Sequence, residues 1–120
     1  MNYFEKGNEL YKSKEFKKAI DMYKKSAEEK LNEASALYNA AVCFMKLKEY
    51  EKALPYLKNA IEKDPQSKYF FNLGYCYSML DNSKKALIYF NRAWSLNHDD
   101  KDCEKAINII INQYKSKTAI

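Results

Sequence analysis

Between Tyr69 and Leu96 the apolar residues recur with the spacing of two amphipathic helices. Phe70, Leu73, Gly74 and Tyr77 fall at i, i+3, i+4 and i+7, and Ala86, Phe90, Ala93 and Trp94 at i, i+4, i+7 and i+8. The polar run Asp81–Asn82–Ser83 separates the two sets. The pattern predicts a helix hairpin with these residues, Trp94 included, turned inward. A glycine inside a helix costs roughly 1 kcal/mol relative to alanine, so Gly74 requires a packing reason. The expected reason is a partner helix so close that no Cβ fits between them.

The same arrangement occurs three times. Gly74 and Ala86 are 12 residues apart, as are Ala41 and Ala53, and Gly7 and Ala19. The interval from Ala19 to Ala53 is 34 residues and from Ala53 to Ala86 is 33. A large apolar residue follows four positions later, as Tyr23, Leu57 and Phe90, and a small one three positions beyond that, as Ser26, Ala60 and Ala93. The chain therefore divides into three helix pairs, over about residues 1–32, 33–66 and 67–99, in one domain. The expected helices run from about 2 to 13, 15 to 30, 33 to 47, 50 to 63, 67 to 80 and 83 to 96.

Three local details qualify this scheme. In the first helix Tyr3, the stem of Lys6, Gly7 and Leu10 are expected to face inward. Asn32 suits the N-cap of the third helix. Pro55 lies past the first turn of the fourth, where a loose turn or slight kink is expected. A seventh helix over about 100–117 carries one apolar stripe, Cys103, Ala106, Ile107, Ile110, Ile111 and Tyr114, with Ile109 off it. Its acidic start and basic end suit the helix dipole.

A helix pair repeating every 34 residues, with small and large residues at these positions, resembles the tetratricopeptide repeat family. The likeness covers about residues 2–98. Leu31 and His98 stand where the family usually has a helix-ending proline. The resemblance implies an all-α fold, a right-handed solenoid of three helix hairpins, with the seventh helix capping the last repeat. It also implies that the first helix of each pair lines an inner groove. That face carries Phe4, Asn8, Tyr11 and Lys12 from the first repeat. The second repeat adds Tyr38, Asn39, Val42, Met45 and Lys46, and the third adds Lys68, Phe71, Asn72, Tyr75 and Met79. Rows of aromatics with asparagines suit an extended peptide, because rings give rigid contact and amides bond both backbone donors and acceptors. Lysines at the edge favour an acidic segment.

Some co-chaperones of this fold hold an acidic chaperone tail through two lysines, two asparagines and an arginine. The opening Glu5–Lys6–Gly7–Asn8–Glu9–Leu10–Tyr11 is similar to theirs. Asn8, Asn39 and Lys68 match members of that set, whereas Phe4 replaces a lysine and Asn72 the arginine. Without the guanidinium fork, bidentate capture of a carboxylate is lost. The expected function is thus a protein-interaction module that binds a peptide segment of a partner protein in this groove, with an acidic segment favoured. The alternatives are a self-assembling scaffold using the seventh helix or an open repeat face, and a co-chaperone.

Composition narrows the field further. The net charge of +5 is spread over solvated helix faces such as Lys17–Lys18 and Lys84–Lys85, so nucleic acid is not an expected partner. No apolar run is long enough to span a membrane and no secretion signal opens the chain, which points to a cytoplasmic protein. Cys43, Cys76 and Cys103 sit within helical patterns as small apolar residues, and the single histidine, His98, has no partner at metal-ligand spacing. With two glycines in the chain there is no phosphate loop, and no nucleophile–base set is present, so neither enzyme activity nor a cofactor or metal is expected. A monomer or a weak homo-oligomer is the expected state.

Overall fold

The computed structural model describes residues 1–118, and within them the secondary structure consists of seven α-helices. These are α1 (Tyr3–Lys12), α2 (Phe16–Glu28), α3 (Glu33–Lys46), α4 (Tyr50–Lys63), α5 (Ser67–Met79), α6 (Ser83–Leu96) and α7 (Lys101–Thr118). They form two compact units, one ending at Pro65 and one beginning at Gln66. The first unit holds α1–α4 and the second α5–α7.

In both units the helix pairs close over a small residue. A Cβ placed on Gly7 would lie 2.6 Å from Cε1 of Tyr23, and one on Gly74 would lie 2.7 Å from Cδ1 of Phe90. The close approach expected from the sequence is thus an aromatic ring of the second helix pressed against the glycine of the first. In the middle repeat the equivalent residues, Ala41 and Leu57, are both fully buried. Around these contacts Ala19, Ile20, Tyr23, Ala36, Ala40 and Cys43 form the core of the first unit. In the second unit Tyr69, Phe70, Leu73, Cys76, Tyr77, Ala86, Phe90 and Ala93 are buried, with Cys103 and Ile110 of α7.

The helix ends follow a repeated device. Lys14, Lys30, Lys48 and Asp81 follow helix termini with φ between 57° and 60°. At each, the residue after it donates its N–H five residues back: Glu15 to Leu10 O, Leu31 to Ser26 O, Glu49 to Phe44 O and Asn82 to Tyr77 O, at 2.8–2.9 Å. This is the Schellman closure, here with lysine or aspartate where glycine is usual. The buried Ser26 hydroxyl also donates to Leu31 O at 2.6 Å, so the turn after α2 closes without a proline. Asn2 and Asn82 cap α1 and α6 by accepting from Glu5 N–H and Lys85 N–H. Asp100 does the same for Asp102 N–H and Cys103 N–H at the start of α7.

Several expectations need correction. Asn32 does occupy the N-cap of α3, but its backbone is left-handed (φ 49°) and its side chain makes no capping bond. Tyr3 is exposed beneath the Lys25 ammonium, 5.5 Å from the ring centroid, and Lys6 is exposed in an ion pair with Glu9. Trp94 is 38% exposed and stacks on His98 with ring centroids 4.5 Å apart. The first residue of α5, Ser67, donates its hydroxyl to Ala93 O, which puts Trp94 at the end of the α5–α6 contact. On α7, Ile111 and Tyr114 are exposed although they continue the stripe of the buried Cys103 and Ile110. The helix α4 runs through Pro55 without a break.

Two stability predictions follow from this packing. Gly74→Ala should lower stability by about 1–2 kcal/mol, because overpacking against Phe90 outweighs the gain in helix propensity. Adding Phe90→Leu, which recreates the Ala41–Leu57 combination, should recover part of that loss in a urea-unfolding double-mutant cycle. Lys48→Gly should raise stability by about 0.5–1 kcal/mol, since relief of the left-handed strain exceeds the entropy that glycine adds to the unfolded chain. Urea unfolding with an unchanged m-value checks it.

Candidate functional site

The first unit holds an open cavity of about 480 Å³ lined by Asn8, Tyr11, Lys12, Tyr23, Tyr38, Asn39 and Val42. Two helices supply most of it. On α1, Asn8, Tyr11 and Lys12 follow Gly7 at helical spacing, so the face beside the one pressed on Tyr23 opens to the cavity. On α3, Tyr38, Asn39 and Val42 do the same beside the buried Ala36, Ala40 and Cys43. Six of the residues singled out from the sequence are therefore brought together. Phe4 is placed elsewhere: it is half-buried with its ring tilted on Tyr23, centroids 5.9 Å apart, and packs on the core. Tyr11 has two roles, since its ring also meets Phe16 edge-on at 5.5 Å. Met45 is half-buried and Lys46 exposed, and neither lines the cavity.

The remaining five predicted residues lie on α5 of the second unit. Phe71 is half-buried against Phe90, with ring centroids 5.2 Å apart. Asn72 is half-buried, and Tyr75 and Met79 are exposed. Lys68 is exposed, its ammonium 5.7 Å from the Tyr69 ring centroid.

Tyr23 is the cavity residue that the sequence reading left out. Its repeat position marked it as core, and its ring is core, being 2% exposed. The hydroxyl, however, reaches the cavity floor and donates to Oδ1 of Asn8 at 2.6 Å. Burial pushes the phenol up to about 12, with Cys43 and Tyr11 adding to the shift and a hydrogen bond from Asn39 opposing it. The signal available in the sequence was the hydroxyl itself: the equivalent residues Leu57 and Phe90 have none.

The three thiols are withdrawn from solvent in the folded state. Cys43, Cys76 and Cys103 are fully buried and unpaired, and burial pushes each thiol up to about 12. Cys103 is raised further by its contact with Asp100, where Sγ lies 3.3 Å from Oδ2. Among the described residues no group of three or more His, Cys, Asp or Glu side chains is placed to hold a metal ion. Nor is any described helix long and apolar enough to cross a membrane.

The tetratricopeptide repeat pattern matches residues 34–67 and again residues 67–100, together more than half of the chain. The chain belongs to the tetratricopeptide repeat family. The first hairpin, outside the matched spans, shows the same glycine-on-ring contact as the third. The fold is all-α and of the tetratricopeptide solenoid type, and such repeats are protein-interaction scaffolds. Among solved structures, the Arabidopsis OM64 TPR domain is 27% identical with a TM-score of 0.83, covering 92% of this chain and 93% of that one. The TPR2AB domain of yeast Sti1, described in a complex with pHSP90, is 25% identical with a TM-score of 0.83. The alignment covers 96% of this chain and 47% of the Sti1 chain. The first TPR of Spaghetti (RPAP3), bound to the HSP90 peptide SRMEEVD, shares the fold at a TM-score of 0.88 and 20% identity, covering 94% and 90%. No curated protein sequence matches the chain.

The buried thiols and phenol of this TPR chain set its alkaline behaviour. Each thiol rises from 9.0 and the Tyr23 phenol from 10.0, all to about 12. Above pH 9 the unfolded chain loses these protons while the folded chain keeps them. Stability is therefore expected to fall as pH rises from 9 towards 12. At pH 8, Ellman's reagent should modify the native thiols roughly a hundredfold more slowly than those of the urea-unfolded chain.

Proposed function

We propose that the face formed by α1 and α3 binds an extended peptide segment of a partner protein. The observation that carries this reading is the convergence of Asn8, Tyr11, Lys12, Tyr38, Asn39 and Val42 on one open cavity. Tyr11 and Tyr38 give rigid contact surface at small entropic cost, and the asparagine amides pair with a peptide backbone that would otherwise lose its hydrogen bonds to water. Lys12, exposed at the rim, favours an acidic residue in the ligand. The α5 residues Lys68, Phe71, Asn72, Tyr75 and Met79 lie on the second unit and do not line this cavity.

An acidic ligand accords with the peptide bound by the structurally similar Spaghetti (RPAP3) domain, whose sequence SRMEEVD carries three carboxylate side chains. The chain's own residues make its anion recognition weaker than that of a full clamp. Phe4 is packed on the core where a lysine would project, and Asn72 stands where an arginine would grip both carboxylate oxygens. The proposed groove is thus aromatic and amide-rich, with a secondary preference for negative charge.

Tyr38→Ala combined with Asn39→Ala should reduce peptide binding at least tenfold while leaving the helical circular dichroism unchanged, as expected for groove contacts of about 1.4 kcal/mol or more. Titration of an acidic heptapeptide in free-carboxylate and amidated forms should show at most a few-fold preference for the former. Undiminished binding by the double variant would place the interaction on another surface.

A further inference from the structure

We propose that Tyr23 is a positioning residue, whose buried hydroxyl holds the side-chain amides of Asn8 and Asn39 in the orientation they present to the cavity. The proposal deepens the groove reading and rests on it for its functional meaning. Three helices meet at this one oxygen: Asn8 comes from α1, Tyr23 from α2 and Asn39 from α3, and all three line the cavity. The hydroxyl donates to Oδ1 of Asn8 at 2.6 Å, and Asn39 hydrogen-bonds the same hydroxyl.

Counting donors fixes the orientation. A phenol has one proton to give, and here Asn8 receives it, so the phenol oxygen can only accept from Asn39. Asn39 must then use an N–H toward Tyr23, and Asn8 its carbonyl. What remains for a ligand is the NH2 group of Asn8, together with the carbonyl and second N–H of Asn39. The Asn8 end of the floor, beside Lys12, is therefore a donor surface that selects an acceptor, either a peptide carbonyl or a carboxylate. The arrangement belongs to the first repeat alone. At the positions of Tyr23 and Asn8 the second repeat has Leu57 and Val42, and the third has Phe90 and Tyr75, so neither pair provides a hydroxyl beneath an amide.

Tyr23→Phe tests the proposal, since it keeps the ring against Gly7 and removes only the hydroxyl. In the free, nitrogen-15-labelled protein the Asn8 and Asn39 side-chain amides should be restrained in the wild type and show fast averaging in the variant, with the backbone unchanged. Unchanged amide relaxation in Tyr23→Phe would overturn the positioning role. Binding is read with an acidic heptapeptide bearing a free C-terminal carboxylate. Tyr23→Phe should weaken it about tenfold, the scale of one or two neutral hydrogen bonds, and should have a clearly smaller effect when Asn8→Ala is already present, because only Asn39 is then left to position. Equal losses in both backgrounds, or a loss that tracks a lower melting temperature, would assign Tyr23 a purely structural role and overturn the proposal. Failure of the wild type to bind the peptide counts against the groove reading only, because amide relaxation is measured without ligand.

Discussion

The contact on which the rest depends is an aromatic ring laid where a Cβ would otherwise be. Gly7 under Tyr23 and Gly74 under Phe90 leave less than 3 Å for any added carbon, so each glycine is required by the ring opposite. A close-packed interior cannot absorb an extra methyl group there without shifting one helix against the other. The middle repeat has smaller parts at the same two positions, Ala41 and Leu57, both buried completely. Small and large residues are thus coupled across each hairpin, and the spacing between them sets the helix pairing. That coupling makes the 34-residue period visible at all.

Much of the fold was legible because it rests on such couplings. The start of every helix from α2 to α6, and the end of α4 and α6, follow from where the periodicity begins and where polar or proline-containing runs stop it. The sequence signal failed where side chains have no periodic partner. Trp94 continues the stripe of Phe90 but sits at the end of the α5–α6 contact, and its ring lies half in solvent on His98. Ile111 and Tyr114 likewise extend a stripe past the buried Cys103 and Ile110. Asn32 was expected to cap through its side chain. Instead its backbone adopts the left-handed conformation that asparagine tolerates, closing the short connection from α2 to α3.

The candidate site was legible in a different measure. Position within the repeat brought out Asn8, Tyr11, Lys12, Tyr38, Asn39 and Val42, because these flank the buried positions on the first helices of their pairs. Phe4 was placed in the groove by the same rule, yet its ring packs against Tyr23, since a phenylalanine beside a core aromatic gains more from burial than from solvent. Tyr23 was missed for the converse reason. A repeat position classed as core describes where a ring lies and says nothing of the polar atom at its far end.

That double character of Tyr23 joins the packing of the first hairpin to its cavity. Gly7 admits the ring, and the ring, once admitted, carries its hydroxyl to Asn8, the next residue along α1. A larger residue at position 7 would push the ring away and withdraw the hydroxyl from both asparagines. A phenylalanine at position 23 would satisfy the packing and leave the amides free to turn. The packing requirement and the orientation of the cavity amides therefore fall on one side chain in the first repeat, whereas in the second and third repeats the equivalent residues serve packing alone. Divergence among repeats that share a fold can arise in this way, with one polar atom added at the end of a core ring and the backbone unchanged.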